Sequence, residues 1–160
     1  MKRIVHLLMM AGFLAMVFGC SLQRMPEGKL KSLEYRVSAS MAGSQFEAYV
    51  TSEENGAVVL RGMREQYGPL FERTLSADEV DGFVQIIREE KMYQYKEHYK
   101  PFFKVLDGYM WHFSAHFEQG EIYSTGSNAR PKGDGLERIE KYVAKLLENA
   151  QPSAENPSEE

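Results

Sequence analysis

Four histidines and one cysteine are the side chains best suited to bind a metal or activate a nucleophile in this 160-residue chain. His112 and His116 stand four residues apart, a spacing that on a helix puts both imidazoles on one face, as in helical zinc sites. Their neighbours decide otherwise. Tyr109, Trp111, Phe113, Ala115 and Phe117 alternate with Met110, His112, Ser114, His116 and Glu118, the period-two rhythm of a half-buried strand. At ~3.3 Å per residue the two rings then stand roughly 13 Å apart, too far for one ion bonded at ~2 Å. No metal and no other cofactor is expected. Cys20 is the only thiol, so disulfides and multi-cysteine metal sites are excluded. The chain contains no G-x-S-x-G, S-x-x-K or H-E-x-x-H run. A triad assembled from distant residues needs no local motif, so an enzyme stays open as the lesser alternative.

Two further groups could hold a ligand. Tyr93, Tyr95, Tyr99, Phe102 and Phe103 crowd the segment K-M-Y-Q-Y-K-E-H-Y-K-P-F-F, interleaved with lysines. Such residues line glycan or peptide grooves, or else close one end of a core. The stretch from Gly126 to Gly135 carries three glycines with Arg130 and Lys132 before a helix. It suits either an anion-binding nest or a strand-to-helix connection that needs glycine's conformational freedom. The candidate ligand-binding residues are therefore Tyr93, Tyr95, Tyr99, Arg130 and Lys132.

The elements that must position these groups follow from periodicity. Leu33, Tyr35, Val37 and Ala39 alternate with polar residues, as do Phe46, Ala48 and Val50. Asn55-Gly56 marks a turn, Val58 to Arg61 returns, and Leu70 to Leu75 is a short extended piece. Ser76-Ala77-Asp78-Glu79 is a capping box, and Val80, Phe83, Val84 and Ile87 predict a helix over about 77–91. Asp107-Gly108 and Gln119-Gly120 flank the strand that carries Trp111, and a further strand covers Glu121 to Thr125. Leu136, Ile139, Val143, Leu146 and Leu147 make the stripe of a final helix. The class is α+β: an antiparallel sheet of about five to six strands packed with two amphipathic helices. Trp111 is expected in the core between them.

The N-terminus has its own logic. Met1-Lys2-Arg3 precedes the apolar run Ile4 to Phe18. Fifteen residues at ~1.5 Å each reach about 22 Å, short of the roughly 30 Å hydrocarbon core. A positive start, a short apolar run and a small residue are the layout of a secretory signal. Val17-Phe18-Gly19-Cys20 resembles the lipobox of bacterial lipoprotein precursors. The resemblance implies cleavage before Cys20, acylation of Cys20 and a partnership with membrane lipid through it. Several acyl chains are needed for a durable hold. Ser21 stands where lipoproteins retained in the inner membrane tend to carry Asp, so the outer membrane, facing the periplasm, is the expected location. The expected organisation is a lipoprotein signal peptide over 1–19, a lipid-anchored tether over 20–31, one globular domain over 32–150 and a disordered acidic tail over 151–160.

A second likeness lies further on. Asp107-Gly108, Trp111, Gly120, Gly126-Ser127-Asn128-Ala129 and Pro131 are similar to the pattern of a family of small uncharacterised bacterial envelope lipoproteins. That family has no agreed activity, so the resemblance implies no catalytic residue. With a formal net charge of −4, the chain has no basic excess to attract nucleic acid. The expectation is a binding or interaction module of the cell envelope, with a protein or glycan partner. The alternative is an envelope enzyme or enzyme inhibitor with a site built from dispersed residues.

Overall fold

The computed structural model of the protein describes residues 23–39, 43–102, 105 and 108–153. Cys20, Phe103 and Asp107 lie outside the described residues, as does the acidic run 154–160. The chain runs β1 (Glu27–Ala39), β2 (Gly43–Ser52), β3 (Val58–Met63), β4 (Leu70–Leu75), α1 (Ala77–Glu89), a 3-10 turn (Met92–Gln94), β5 (His98–Tyr99), β6 (Tyr109–Gln119), β7 (Glu121–Ser127), α2 (Gly135–Leu147) and β8 (Gln151–Pro152). One eight-stranded sheet has the order β5-β7-β6-β1-β2-β3-β4-β8. Every pairing is antiparallel except that of β5 with β7.

The class is α+β with two helices, as the periodicity predicts, but five to six strands is an undercount. Six long strands account for that expectation. The two additional ones, β5 and β8, are two residues each and border the sheet. So short a strand has no period to read, and its existence depends on an edge that distant residues supply. The sheet also takes in more of the chain than its central pattern suggests. β1 begins at Glu27, so residues 27–31 pair within the sheet rather than forming tether. Gln151 and Pro152 pair with β4 at the start of the expected tail.

Alternation sorts the sheet into two faces. Leu33, Tyr35, Val37, Phe46, Ala48, Val50, Leu60, Trp111, Phe113, Ala115 and Ile122 join one core with Phe83, Ile87, Ile139, Val143 and Leu147 from the helices. Both helices therefore cover the same face. They also meet each other, Phe83 edge-on to Tyr142 with ring centroids 4.8 Å apart. The expected capping box holds the start of α1: the Ser76 hydroxyl accepts from the Glu79 amide at 3.3 Å, and the Glu79 carboxylate accepts from the Ser76 amide at 2.8 Å. That amide, first among its partners, keeps the Glu79 carboxyl below the usual carboxylate range. Arg73 ties the helices together, donating to Glu79 at 2.8 Å and to the Leu146 carbonyl at 2.7 Å near the end of α2.

At the centre of the core, fully buried Tyr35 donates its hydroxyl to Glu140 of α2 at 2.7 Å. Burial, then the Glu140 charge, raise the phenol far above its ordinary range, so it remains a donor. Trp111 is buried, as expected, at 2% exposure. Its indole N–H donates to the Ala129 carbonyl at 2.7 Å. Asn128, in the left-handed region, accepts from the Tyr109 amide through its side chain and donates its own amide to the Tyr109 carbonyl, both at 3.0 Å. The residues of the Trp111 and Gly126-Ser127-Asn128-Ala129 pattern thus form a clasp joining β6 to the connection that leads into α2. Their spacing has a packing reason.

Candidate functional site

The second face of the sheet carries no helix among the described residues, and strand register arranges its side chains in rows. Cross-strand partners share a face. Pairing runs from His98 to Thr125, from Thr125 to His112, from His112 to Arg36 and from Arg36 to Glu47, one row across β5, β7, β6, β1 and β2. Neighbouring strands are ~4.8 Å apart, so the two imidazoles flank one hydroxyl with roughly 10 Å between their backbones. The next row toward the far end holds Ser127, Met110, Ser38 and Ser44. Together these rows floor a shallow depression of about 570 Å³, rimmed by Tyr99 and Lys100.

Geometry within the row is specific. His98 Nδ1 and Thr125 Oγ1 share a hydrogen bond of 2.8 Å, and His98 Nε2 lies 3.4 Å from a Glu97 carboxylate oxygen. The Thr125 hydroxyl also lies 3.2 Å from the Glu97 carbonyl, and its single proton goes to that carbonyl or to His98 Nδ1 according to the imidazole tautomer. His112 Nε2 lies 3.9 Å from Glu34, and its ring meets Tyr123 edge-on at 5.2 Å. Burial is the chief reason its pKa falls below the ordinary imidazole range; Glu34 opposes the shift, while Arg36 and His116 add to it. Arg36 Nε holds Glu34 at 2.6 Å. Met110 and Tyr123 are exposed beside the row at 56% and 44%.

Strand β6 separates His112 from His116, as the alternation predicts. His116 stands apart from His112, 3.0 Å from Glu121 on the neighbouring strand. The imidazole that shares the row with His112 is His98, fourteen positions upstream, delivered by the parallel strand β5. No sequence pattern announces β5. Among the described residues no three His, Cys, Asp or Glu side chains converge to hold an ion.

The sequence-derived ligand residues take different places. Tyr99 borders the depression, its hydroxyl accepting from the Lys96 amide at 3.0 Å and its ring 5.8 Å from Trp111. Tyr95 is 7% exposed and belongs to the core; burial and then Glu90 push its phenol up to about 12. Tyr93 is half-buried against the core. Arg130 sits over Tyr109 at 5.3 Å and 3.9 Å from Glu140, and Lys132 is exposed; neither lines the depression. Cys20 lies outside the described residues. Thr125, Arg36 and His98 carry no sequence signal of a shared site, because only strand register makes them neighbours of His112.

A second hollow of about 390 Å³ lies over β2, β3 and β4, bordered by Tyr49, Val59, Arg61, Leu70 and Ser153. Among its polar groups, Arg61 pairs with Glu72, and the Tyr49 hydroxyl donates to Glu47 at 3.2 Å. No described helix is long and apolar enough to cross a membrane. No family model matches the chain, and no curated protein is significantly similar to it.

Proposed function

We propose that the chain is a membrane-anchored bacterial lipoprotein whose folded domain is a binding or interaction module of the cell envelope, held by acylated Cys20 at the outer membrane and facing the periplasm. The observation that carries the binding role is the helix-free sheet face, where a depression joins half-buried His112 and Thr125 to exposed His98, Arg36 and Met110, with exposed Tyr123 beside it. Exposed aromatic and apolar side chains beside convergent polar groups are the make-up of recognition sites. The anchor rests on Val17-Phe18-Gly19-Cys20.

Site-specific photo-crosslinking in intact cells tests this reading. A photoreactive residue at Met110 should give a discrete adduct, and the same residue at exposed Gln85 on α1 should not. Cys20→Ala should abolish incorporation of labelled palmitate and shift the protein out of the membrane fraction. Equal adducts from Met110 and Gln85, or palmitate labelling that survives Cys20→Ala, would refute the proposal.

A further inference from the structure

We infer that two copies of the chain pair through their open sheet faces, the Lys100-Pro101-Phe102 segment of each entering the apolar hollow over β2, β3 and β4 of the other. The inference goes beyond the binding role proposed above and uses a different hollow.

The hollow has a built apolar floor. Leu60 joins the helix-covered core, so its neighbour Val59 points to the open face. Val59 is nevertheless only 8% exposed, and it shares the hollow with Leu70 and Tyr49. The charge around this floor is acidic. Both nearby arginines are engaged, Arg61 with Glu72 and Arg36 with Glu34 at 2.6 Å. Glu47 and Glu53 on the rim accept from neutral groups, the Tyr49 hydroxyl and the Asn55 side-chain amide, each at 3.2 Å. Neither carboxylate is in an ion pair among the described residues. Such a hollow suits an apolar group carried beside a positive charge.

The chain itself presents that combination. Phe102 is the most exposed large apolar residue among those described, and exposed Lys100 stands two positions before it, in no ion pair among the described residues. Lys100 lines the open-face depression, so the segment leaves β5 on the open side. Its own hollow is out of reach. β5 and β3 are five places apart in the sheet, ~24 Å at ~4.8 Å per strand, whereas the three residues after Tyr99 span ~10 Å.

A second copy brings knob and hollow together. A two-fold axis parallel to the strands reverses the order β5-β7-β6-β1-β2-β3-β4-β8, laying β5 and β7 of one copy over β8 and β4 of its partner. That rotation keeps each sheet end over the same end of the other copy. Both β5, parallel to β7, and β8, antiparallel to β4, run toward the end where β4 begins. Lys100-Pro101-Phe102 therefore emerges over Leu70 and Ser153 of the other copy, which line the hollow. Both contacts form at once, and the pair closes without further copies. A phenylalanine buries ~150–250 Å², so two knobs and the surfaces that receive them come to roughly 800 Å², the size of a weak, transient contact. The pair turns both depressions inward, so pairing and partner binding at Met110 exclude one another.

The test is copy-to-copy crosslinking in intact cells, with full-length chains carrying two different epitope tags. A photoreactive residue at Phe102 of one copy should give an adduct that carries the second tag, its linked peptide containing Tyr49, Val59 or Leu70. The same residue at Gln85 on α1 should give none. Lys100→Glu beside the photoreactive residue should lower the yield roughly fivefold. Glu47→Lys in the receiving copy should then restore it, a rescue that damage to folding cannot mimic. A lack of doubly tagged adducts, adducts that map outside the hollow, or a yield that ignores the charge exchange would overturn the inference. Met110 adducts to another protein in that case would leave the binding role standing. A second copy as the sole Met110 adduct would instead keep the pairing and remove that role.

Discussion

Met110 and Trp111 are neighbours in sequence and live under different rules. Trp111 points into the helix-covered side, 2% exposed, with its one polar atom bonded to Ala129. Met110 points to the open side at 56% exposure. Covered-face positions are selected by volume: Phe113, Leu33, Tyr35 and Phe46 interlock with α1 and α2. Open-face positions are selected by charge and hydrogen bonding in rows. The lesson is that one sheet performs two tasks, with stability concentrated on one face and adaptable chemistry left on the other.

The contrast can be broken most forcefully at Trp111. Trp111→Ala should cost ~3–5 kcal/mol, a large part of the ~5–15 kcal/mol that holds a domain together, and lower the urea midpoint accordingly. Blue-shifted fluorescence that resists acrylamide quenching should accompany the native state. A midpoint unchanged by the substitution would mean that the covered face does not carry the fold.

Gly126 is the next most sensitive position. A Cβ there would run into the Trp111 indole nitrogen and the Ala129 carbonyl, the two ends of the clasp hydrogen bond. Gly126→Ala should cost ~1–3 kcal/mol by overpacking, detected by thermal melting, although alanine disturbs most strands little. Tyr35→Phe follows: it removes the hydrogen bond to Glu140 while keeping the ring. About 1 kcal/mol is expected in chemical denaturation, and a loss as large as that of Trp111→Ala would show that Glu140 is locked in the core by this bond alone.

Acid sharpens the comparison from the open side. Burial holds His112 below the ordinary imidazole pKa, with Arg36 and His116 in the same sense and Glu34 opposing. As pH falls through ~6.5 the unfolded chain takes up this proton before the folded one does. The contribution is therefore complete above about pH 6.5 and is lost as pH drops toward the depressed folded value. The urea midpoint measured across this range should fall, and the fall should be shallower in His112→Gln. An identical slope in both would remove His112 from the stability balance. The smallest effect belongs to Met110→Ser, which should leave the midpoint within ~0.5 kcal/mol of wild type; a larger loss would mean that the open face is packed after all.

Legibility followed the same division. Helices α1 and α2 and the strand from Tyr109 could be read directly, because a 3.6-residue stripe or a strict alternation is a local property of the chain. So was the burial of Trp111, which alternation alone dictates. The aromatic segment was legible only as a composition: its register with the sheet decided that Tyr95 enters the core while Tyr99 borders the depression.

What the sequence determined by itself was therefore the class of the fold, the two sides of each long strand, and the lipobox-like run that ends at Cys20. Tertiary structure alone decided which strands lie side by side. The neighbours of His112 are Thr125 and Arg36 from β7 and β1, and His98 joins them through a two-residue parallel strand that no periodicity could reveal. The physical reason is that alternation specifies which way a side chain points, whereas the row it joins depends on hydrogen-bond register between segments far apart in the chain.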